Sequence, residues 1–290
     1  MIDEKRKLMM NIRSCNQEYK HYDVVSEQFD SAFIGKTIKK KELERMKKKE
    51  DRQERSENKR RQRILAKCKH WFYNTREFAN KLVIADSEAV YLGVPTTIGT
   101  VCKDHFIISP KEHYSAVNRW EEDITQEIRN FKKSLVALFA EERKCVVFLE
   151  TAIDIDKIPH IEIDVIPIDE NLEEDVKKFF KRTLTEDDYE WSTHKKIIET
   201  DKDKGDISKV IPGSFSYFHI DINAQGGFAH VIEDSRKFNR KHALEVVAGC
   251  MGDEEVNVNV PINYETLKKR VRGFKDRYNE KYNWTKYKKQ

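Results

Sequence analysis

The stretch "IPHIEIDVIP", residues 158–167, places three titratable side chains at alternate positions of an apolar run. They are His160, Glu162 and Asp164. Successive side chains of a β-strand point to opposite faces of the sheet, so residues two apart share a face. The pattern predicts a strand with all three polar groups on one face, which raises the question of what chemistry that face could perform.

The apolar runs around this strand indicate the fold. Four short runs, "KLVIA", "AVYLGV", "HFIIS" and "CVVFLE", precede it and are typical of strands. Between the third and fourth runs, residues 120–142 repeat apolar side chains at steps of three and four, as one buried face of a helix does. The repeating positions are Ile124, Ile128, Phe131, Leu135 and Leu138. This order of elements predicts a mostly antiparallel sheet crossed by a long helix, which is an α+β domain.

A second ordered region follows the strand predicted at residues 158–167. Residues 171–200 have the composition of a helix, and "VIPGSFSYFHIDINAQGGFAHVIED", residues 210–234, contains strands around Gly226 and Gly227. Adjacent glycines in a strand pattern indicate a bend or a close approach between backbones. We therefore expect a second, small α+β domain. The predicted division is a charged, mostly non-globular arm at 1–66, a first domain at 67–184 and a second domain at 185–290.

Charge is distributed unevenly along the 290 residues, although the formal net charge is only +4. Residues 36–69 contain sixteen Lys or Arg against six Asp or Glu, and residues 268–290 contain ten against two. Residues 36–69 also lack Gly, Pro and an apolar stripe, which predicts an extended or solvent-exposed helical arm. Basic ends attract polyphosphates or acidic protein surfaces, so they are the expected route to RNA. The alternative for residues 36–69 is a charged linker helix without a specific ligand.

The five cysteines include no Cys-x-x-Cys pair, which argues against a disulfide framework. No stretch approaches the roughly 18 apolar residues of a membrane span, and the N-terminus does not have the pattern of a signal peptide. We expect a soluble protein of a reducing compartment, with no membrane partner.

Several motifs together resemble one known family. "SPKEHYS" supplies His113 on a turn before the long helix, and "PHIEIDVIP" stands where histidine-triad proteins carry a His-x-His-x-His strand. The segments "FFKRTLTEDDYEWSTHKKII" and, above all, "QGGFAHVIED" are similar to the CwfJ family of splicing-associated proteins. The resemblance runs from about Lys67 to the C-terminus. It implies a histidine-triad-like domain followed by a second CwfJ-type domain.

The resemblance also implies a biological role. It implies a nuclear protein of the late spliceosome, linked to spliceosome disassembly and to release and turnover of the excised intron lariat. The implied partners are spliceosomal RNA or the intron lariat, the lariat debranching enzyme, the disassembly DEAH-box helicase and other late spliceosome proteins.

Catalysis of the histidine-triad type is not expected from this strand. In triad enzymes the middle His attacks phosphorus, which requires a neutral nucleophilic nitrogen. Here the middle position is Glu162 and the third is Asp164. Two such charges about 5 Å apart repel each other by on the order of 3 kcal/mol at an effective dielectric near 20, before any phosphate arrives. We predict a pseudoenzyme; the alternative is a nucleotide hydrolase or transferase, or a metal-dependent phosphodiesterase that uses the Glu162 and Asp164 face.

A zinc site is the one cofactor that the resemblance implies. Triad-like domains of this kind hold zinc with a Cys-x-x-Cys pair, the His of the "PKxH" turn and the first triad His. The corresponding residues are Cys68, His113 and His160, but Trp71 stands where the second Cys is expected. Because indole cannot ligate zinc, the site is either lost or completed by a neighbour such as His70.

The C-terminal segment "KKRVRGFKDRYNEKYNWTKYKKQ", residues 268–290, alternates basic and aromatic side chains. This mixture suits single-stranded RNA, because cations hold phosphates and aromatic rings stack on bases. Alternatively, Phe274, Tyr278 and Tyr282 are four apart and form the buried stripe of a helix. The residues predicted to contact RNA or a partner are Lys39, Lys40, Lys41, Lys47, Lys48, Lys49, Arg60, Arg61, Lys268, Lys269, Arg270 and Arg272.

Overall fold

The computed structural model describes residues 40–68, 72, 82–95, 99–116, 121–155, 160–186, 197–201, 207–239, 241–252 and 262–286. The chain divides into two compact units, Met1–Arg60 and Arg61–Gln290. The basic segment forms helix α1, Lys40–Lys67. Its described side chains are exposed from Arg45 to Arg63, in agreement with the absence of an apolar stripe.

In the part of the second unit that the structure describes, eight strands form one antiparallel sheet. Its strands are β1 (Val83–Asp86), β2 (Val90–Gly93), β3 (Phe106–Pro110), β4 (Lys144–Ala152), β5 (Ile163–Asp169), β6 (Ile198–Asp201), β7 (Tyr217–Ile222) and β8 (Gly226–Val231). Across the sheet the order is β1-β2-β3-β5-β4-β7-β8-β6, and every neighbouring pair is antiparallel. The predicted α+β class with an antiparallel sheet is confirmed.

Two helices cover one face of the sheet. They are α2 (Glu122–Ala140) and the C-terminal α6 (Tyr264–Lys281), which is followed by a 3-10 turn, Trp284–Lys286. The predicted apolar stripe of α2 is buried at all five positions, and α6 adds a stripe of its own. Both stripes pack on side chains from β2, β3, β4 and β5 in one apolar cluster. The stripe of α6 consists of Leu267, Val271, Phe274 and Tyr278.

The opposite face is covered over β4, β5, β7 and β8. A 3-10 turn, Glu170–Leu172, leads into α3 (Glu173–Glu186), which packs there together with α5 (His242–Cys250). A short helix, α4 (Ile207–Val210), belongs to a third apolar cluster around Tyr217 and Val231. Within the described ranges, no helix is both long enough and apolar enough to cross a membrane.

The glycine pair lies where β8 begins after a tight turn from β7. Gly226 has φ of 115°, a left-handed value that favours glycine. A Cβ atom on Gly227 would lie 2.2 Å from the backbone oxygen of Ile220, closer than any real contact. The prediction of a bend or a close backbone approach is therefore confirmed, because Gly226 adopts the backbone angle of the bend and Gly227 allows the close approach.

The predicted helix over residues 171–200 is too long. Helix α3 ends at Glu186, and residues 198–201 form β6, which pairs with β8 at the sheet edge. The correct assignment depends on a partner strand remote in sequence, which a local pattern does not contain. The sheet also continues across the predicted boundary at residue 184, because β4 pairs with β7 along six residue pairs.

Candidate functional site

The triad-position side chains lie at the join of β3 and β5. Asp164 of β5 is paired with Ile107 of β3, and His160, four residues earlier, reaches Ser109 at the other end of β3. Glu162 lies between them on the same side, because alternate residues of an extended chain share a face. This face is opposite to the one that α2 covers. Strand β5 begins only at Ile163, so the predicted strand is too long at its start, and His160 and Glu162 lie just before it. The three side chains still share one face, as the sequence predicts.

Asp164 accepts a hydrogen bond from a buried histidine. Its Oδ1 lies 3.1 Å from Nε2 of His105, whose side chain is fully buried. The other ring nitrogen, Nδ1, accepts the backbone N–H of Val101, so Nε2 is the nitrogen that carries a proton for Asp164. His105 thus bridges the backbone at Val101 and the carboxylate of Asp164. Its hydrogen bond ties Asp164 to the fold.

Glu162 affects the electrostatics of its neighbours. Burial and the negative charge of Glu162 both raise the pKa of Tyr91, while a hydrogen bond with Ser109 opposes them. Tyr91 therefore remains a neutral hydroxyl in the physiological range. A face with a carboxylate at its centre and no nucleophilic imidazole there is poorly suited to attack a phosphodiester.

Cys68, His113 and His160 are brought together beside this face. Each offers one ligand atom, and these atoms lie within 4.8 Å of one another. Cys68 Sγ is 3.4 Å from His160 Nδ1, and the two imidazole rings are 4.8 Å apart at centroids in an edge-on arrangement. Sulfur and imidazole nitrogen are the donors that zinc prefers. His70 and Trp71, the residues considered for the fourth position, lie outside the described residues.

The orientation of His160 suits metal binding. Its Nε2 lies 3.1 Å from both the carbonyl oxygen of Pro110 and Ser109 Oγ. Because a carbonyl oxygen only accepts, Nε2 carries the proton and donates, which leaves the lone pair of Nδ1 directed toward Cys68. Metal-binding histidines commonly donate their second N–H to a backbone carbonyl in this way.

The predicted basic contacts are distributed over two helices. Lys47, Lys48, Lys49, Arg60 and Arg61 are exposed on α1. Lys40 and Lys41 begin the same helix, whereas Lys39 lies outside the described residues. On α6, Lys268, Lys269 and Arg272 are exposed, as a contact with RNA requires. Arg270 is half-buried, and its guanidinium is positioned by hydrogen bonds to Thr100 Oγ1 at 2.8 Å and to the Cys102 carbonyl at 3.5 Å.

The aromatic side chains of α6 belong to the core. Phe274 packs against Phe106 in a tilted arrangement and stacks on Tyr278, with ring centroids 4.0 and 5.9 Å away. The Tyr278 hydroxyl lies 2.7 Å from Ser134 Oγ of α2. Of the two alternatives for the C-terminal segment, the structure shows the buried helical stripe, and these two rings are not available to stack on bases.

A buried polar group on the other half of the sheet was not anticipated from the sequence. The Tyr217 hydroxyl donates to Glu150, and His219 lies between Glu150 Oε2 at 4.0 Å and Thr200 Oγ1 at 3.2 Å. Next to them, Lys132 of α2 is paired with Asp221 of β7. The alternation of Tyr217, His219 and Asp221 in "SYFHIDI" indicates that the three polar side chains share one face of a strand. It does not reveal their partners, which come from β4, β6 and α2.

Comparison with known proteins agrees with this arrangement. Residues 55–181 match the family described as "Protein similar to CwfJ C-terminal", and residues 190–285 match "Protein similar to CwfJ C-terminus 2". Mouse CWF19-like protein 2 is 32% identical over 222 residues, which cover 77% of this chain and 25% of the relative. The Caenorhabditis elegans CWF19-like protein 2 homolog is 32% identical over 213 residues, 73% of this chain and 45% of the relative. Pre-mRNA-splicing factor cwf19 of Schizosaccharomyces pombe is 31% identical over 173 residues, 58% of this chain and 27% of the relative.

The fold and the site define an α+β protein whose antiparallel sheet carries an altered triad strand, with a histidine only at its first position. The chain belongs to the CwfJ family, since the two family matches together span most of it. It spans about a quarter of the length of the mouse relative and of the fission-yeast relative.

Proposed function

We propose that this chain is a non-catalytic factor of pre-mRNA splicing that binds RNA through basic surfaces away from the triad-position face. Membership of the CwfJ family and the fission-yeast relative named as a pre-mRNA-splicing factor support the splicing role. In the finer form of the proposal, it acts in the nucleus at the intron-lariat stage, contacting lariat or other spliceosomal RNA. It would there recruit debranching or release factors for disassembly and lariat turnover.

The observation that carries this proposal is the separation of charge between two surfaces. The triad-position face presents Glu162 at its centre and Asp164 bound to His105, so it repels phosphate. Helix α6 instead exposes Lys268, Lys269 and Arg272 on one side. An RNA chain is attracted to the second surface and not to the first.

Affinity for single-stranded RNA is expected to depend on the exposed basic side of α6. Reversing two charges one helical turn apart, Lys268→Glu with Arg272→Glu, should weaken binding of an oligouridylate by roughly five- to thirty-fold at low salt. The slope of log affinity against log salt should also become shallower, by roughly 0.7 for each phosphate of the single strand that the protein no longer neutralises. Fluorescence anisotropy of the labelled oligonucleotide at several salt concentrations measures both quantities.

A matched control exists on α3, where Lys178 and Arg182 are exposed at the same spacing. Reversing both of these charges alters the net charge by the same amount and is expected to leave the affinity nearly unchanged. A wild-type affinity that does not vary with salt, or an equal loss in the control, would contradict RNA contact through α6.

We further propose that Cys68, His113 and His160 bind a zinc ion that stabilises the fold. The three donors are of the types that zinc prefers and lie close together. The hydrogen bond from His160 to the Pro110 carbonyl fixes the tautomer and orientation of that imidazole before the metal binds. Bound zinc would supply structural cross-linking between the segment at Cys68, the turn at His113 and the start of the triad strand. No step of catalysis is assigned to it.

Purified wild-type protein is expected to contain about one zinc per chain by elemental analysis. Cys68→Ser should reduce the zinc content to near zero and lower the thermal midpoint, because the metal no longer cross-links three segments. Cys250→Ser on α5 is the matched control and should retain the metal. A wild-type stoichiometry near zero would contradict the zinc proposal.

A further inference from the structure

A groove with a volume of about 660 Å³ runs along helix α6. One wall is formed by Lys103 and Asp104 in the loop before β3, and the other is a stripe of α6 that contains Thr266, Lys269, Arg270, Gly273, Phe274 and Arg277. Four of these residues are basic and one is acidic. The groove is therefore electropositive and differs from the outer side of α6, where Lys268 and Arg272 lie.

Both arginines of the groove are fixed in place by the protein. Arg270 is held by its hydrogen bonds to Thr100 and Cys102. Arg277 donates to Glu142 Oε1 at 2.6 Å and to Asp104 Oδ2 at 3.4 Å, and its guanidinium lies 4.9 Å from the ring centroid of Phe274. A positioned guanidinium loses less conformational freedom when it binds an anion than a free one does. Glu142 and Asp104 reduce the net charge at Arg277 but leave the groove with a basic excess.

Gly273 has no evident role in the packing of the helix. Glycine in a helix interior is unfavourable relative to alanine, and it is usually explained by a close neighbour. A Cβ atom built on Gly273 meets no heavy atom within 4 Å. Because Gly273 lines the groove between Arg270 and Arg277, the missing side chain leaves room for something outside the chain.

We infer that this groove binds the sugar–phosphate backbone of single-stranded RNA, with Gly273 giving the space in which the strand passes between Arg270 and Arg277. The two arginines are seven residues apart, which is about 10 Å along the helix axis. A ligand that contacts both must carry repeated negative charges, as a nucleic-acid strand does. The inference rests on the RNA contact proposed above and extends it from the outer side of α6 into the groove.

The lining favours RNA over an acidic protein segment. Protein interfaces depend on apolar or aromatic anchors at their centre. Phe274 contributes to the lining, but it is only 3% exposed and so offers no protruding anchor. Among the residues that the structure describes, the large apolar side chains left exposed are Met46 and Phe179, and neither lines the groove. The aromatic rings of α6 are packed inward, so recognition is of the backbone and should not depend on base sequence.

The test is to fill the groove without changing its charge. Gly273→Gln is expected to weaken binding of an oligouridylate by roughly five- to twenty-fold, the effect of releasing one or two phosphates from the groove. Its thermal midpoint should be unchanged or higher, because glutamine is a better helix former than glycine. Gly249→Gln on α5 is the matched control, since a Cβ there also meets nothing within 4 Å; this variant should bind as the wild type does.

Each outcome has a distinct meaning. If the wild type binds the oligouridylate and Gly273→Gln binds equally well, the groove assignment is overturned while RNA contact elsewhere stands. If the wild type does not bind, the proposed RNA contact itself fails. Polyglutamate serves as the competing ligand: should it bind as tightly and be weakened equally by Gly273→Gln, the groove would be a site for acidic protein segments, and the RNA assignment would be wrong.

Discussion

Replacing Phe274 by alanine is expected to lower the free energy of unfolding by about 3–5 kcal/mol, the usual cost of removing a buried phenyl ring. Phe274 is only 3% exposed and packs against Phe106 of β3, Phe139 of α2 and Tyr278 of its own helix. Removing the ring leaves a cavity between α6 and the sheet and also removes the surface on which Arg277 lies. Urea denaturation followed by circular dichroism measures the change.

The control for this substitution is Phe179→Ala on α3, where the ring is 49% exposed. This variant removes the same atoms from a surface position, so its effect on the unfolding free energy should be much smaller. A loss in Phe274→Ala no greater than the loss in Phe179→Ala would mean that the ring of Phe274 is not buried, and base stacking by α6 would again be a reasonable alternative.

Local periodicity predicted the elements whose burial is one-sided. The sequence predicts the stripe of α2 and the shared face of His160, Glu162 and Asp164, because a half-buried element carries its period in the sequence, although β5 itself begins only at Ile163. The same rule left two alternatives for α6, since Phe274 and Tyr278 at helical spacing among lysines and arginines fit either a core stripe or an RNA-binding surface. Only the position of β3 and α2 decides between them.

Contacts between remote segments could not be predicted from the sequence. The sequence predicts a helix up to Thr200, which includes most of β6, because "IIET" is too short to show a period and the strand is stabilised by pairing with β8. Likewise, Arg270 lies in a run of basic residues that gave no sign of its bond to Thr100, 170 residues away. The grouping of Cys68, His113 and His160 was expected only from the resemblance to a family, because no spacing rule connects them.

The second large effect is expected at Lys132 and Asp221, whose Nζ and Oδ2 atoms lie 2.7 Å apart with side chains 14% and 11% exposed. Lys132→Met should lower the free energy of unfolding at neutral pH by about 3–5 kcal/mol, because it leaves a buried carboxylate without its partner. The double variant Lys132→Met with Asp221→Asn should recover much of this loss, since no buried charge then remains. Urea denaturation at pH 7 compares the wild type with both variants.

The dependence on pH has a definite sign and separates loss of charge from loss of packing. Burial alone would raise the pKa of Asp221, but Lys132, His219 and the Gly226 N–H outweigh it and hold that pKa below its ordinary value. The stability contributed by the folded-state interaction is therefore present above the unfolded carboxyl pKa of about 4 and is lost as pH falls through the lower folded value.

In Lys132→Met the carboxylate protonates more readily, so the difference from the wild type should shrink between pH 7 and pH values near 4 or below. Lys178→Met, which removes an ammonium group that is 73% exposed and 3.5 Å from Asp175, should have little effect at either pH. An equally large loss in Lys132→Met at both pH values would instead assign the effect to the contact of Lys132 with the ring of Phe148, 4.8 Å away, because that packing does not titrate in this range.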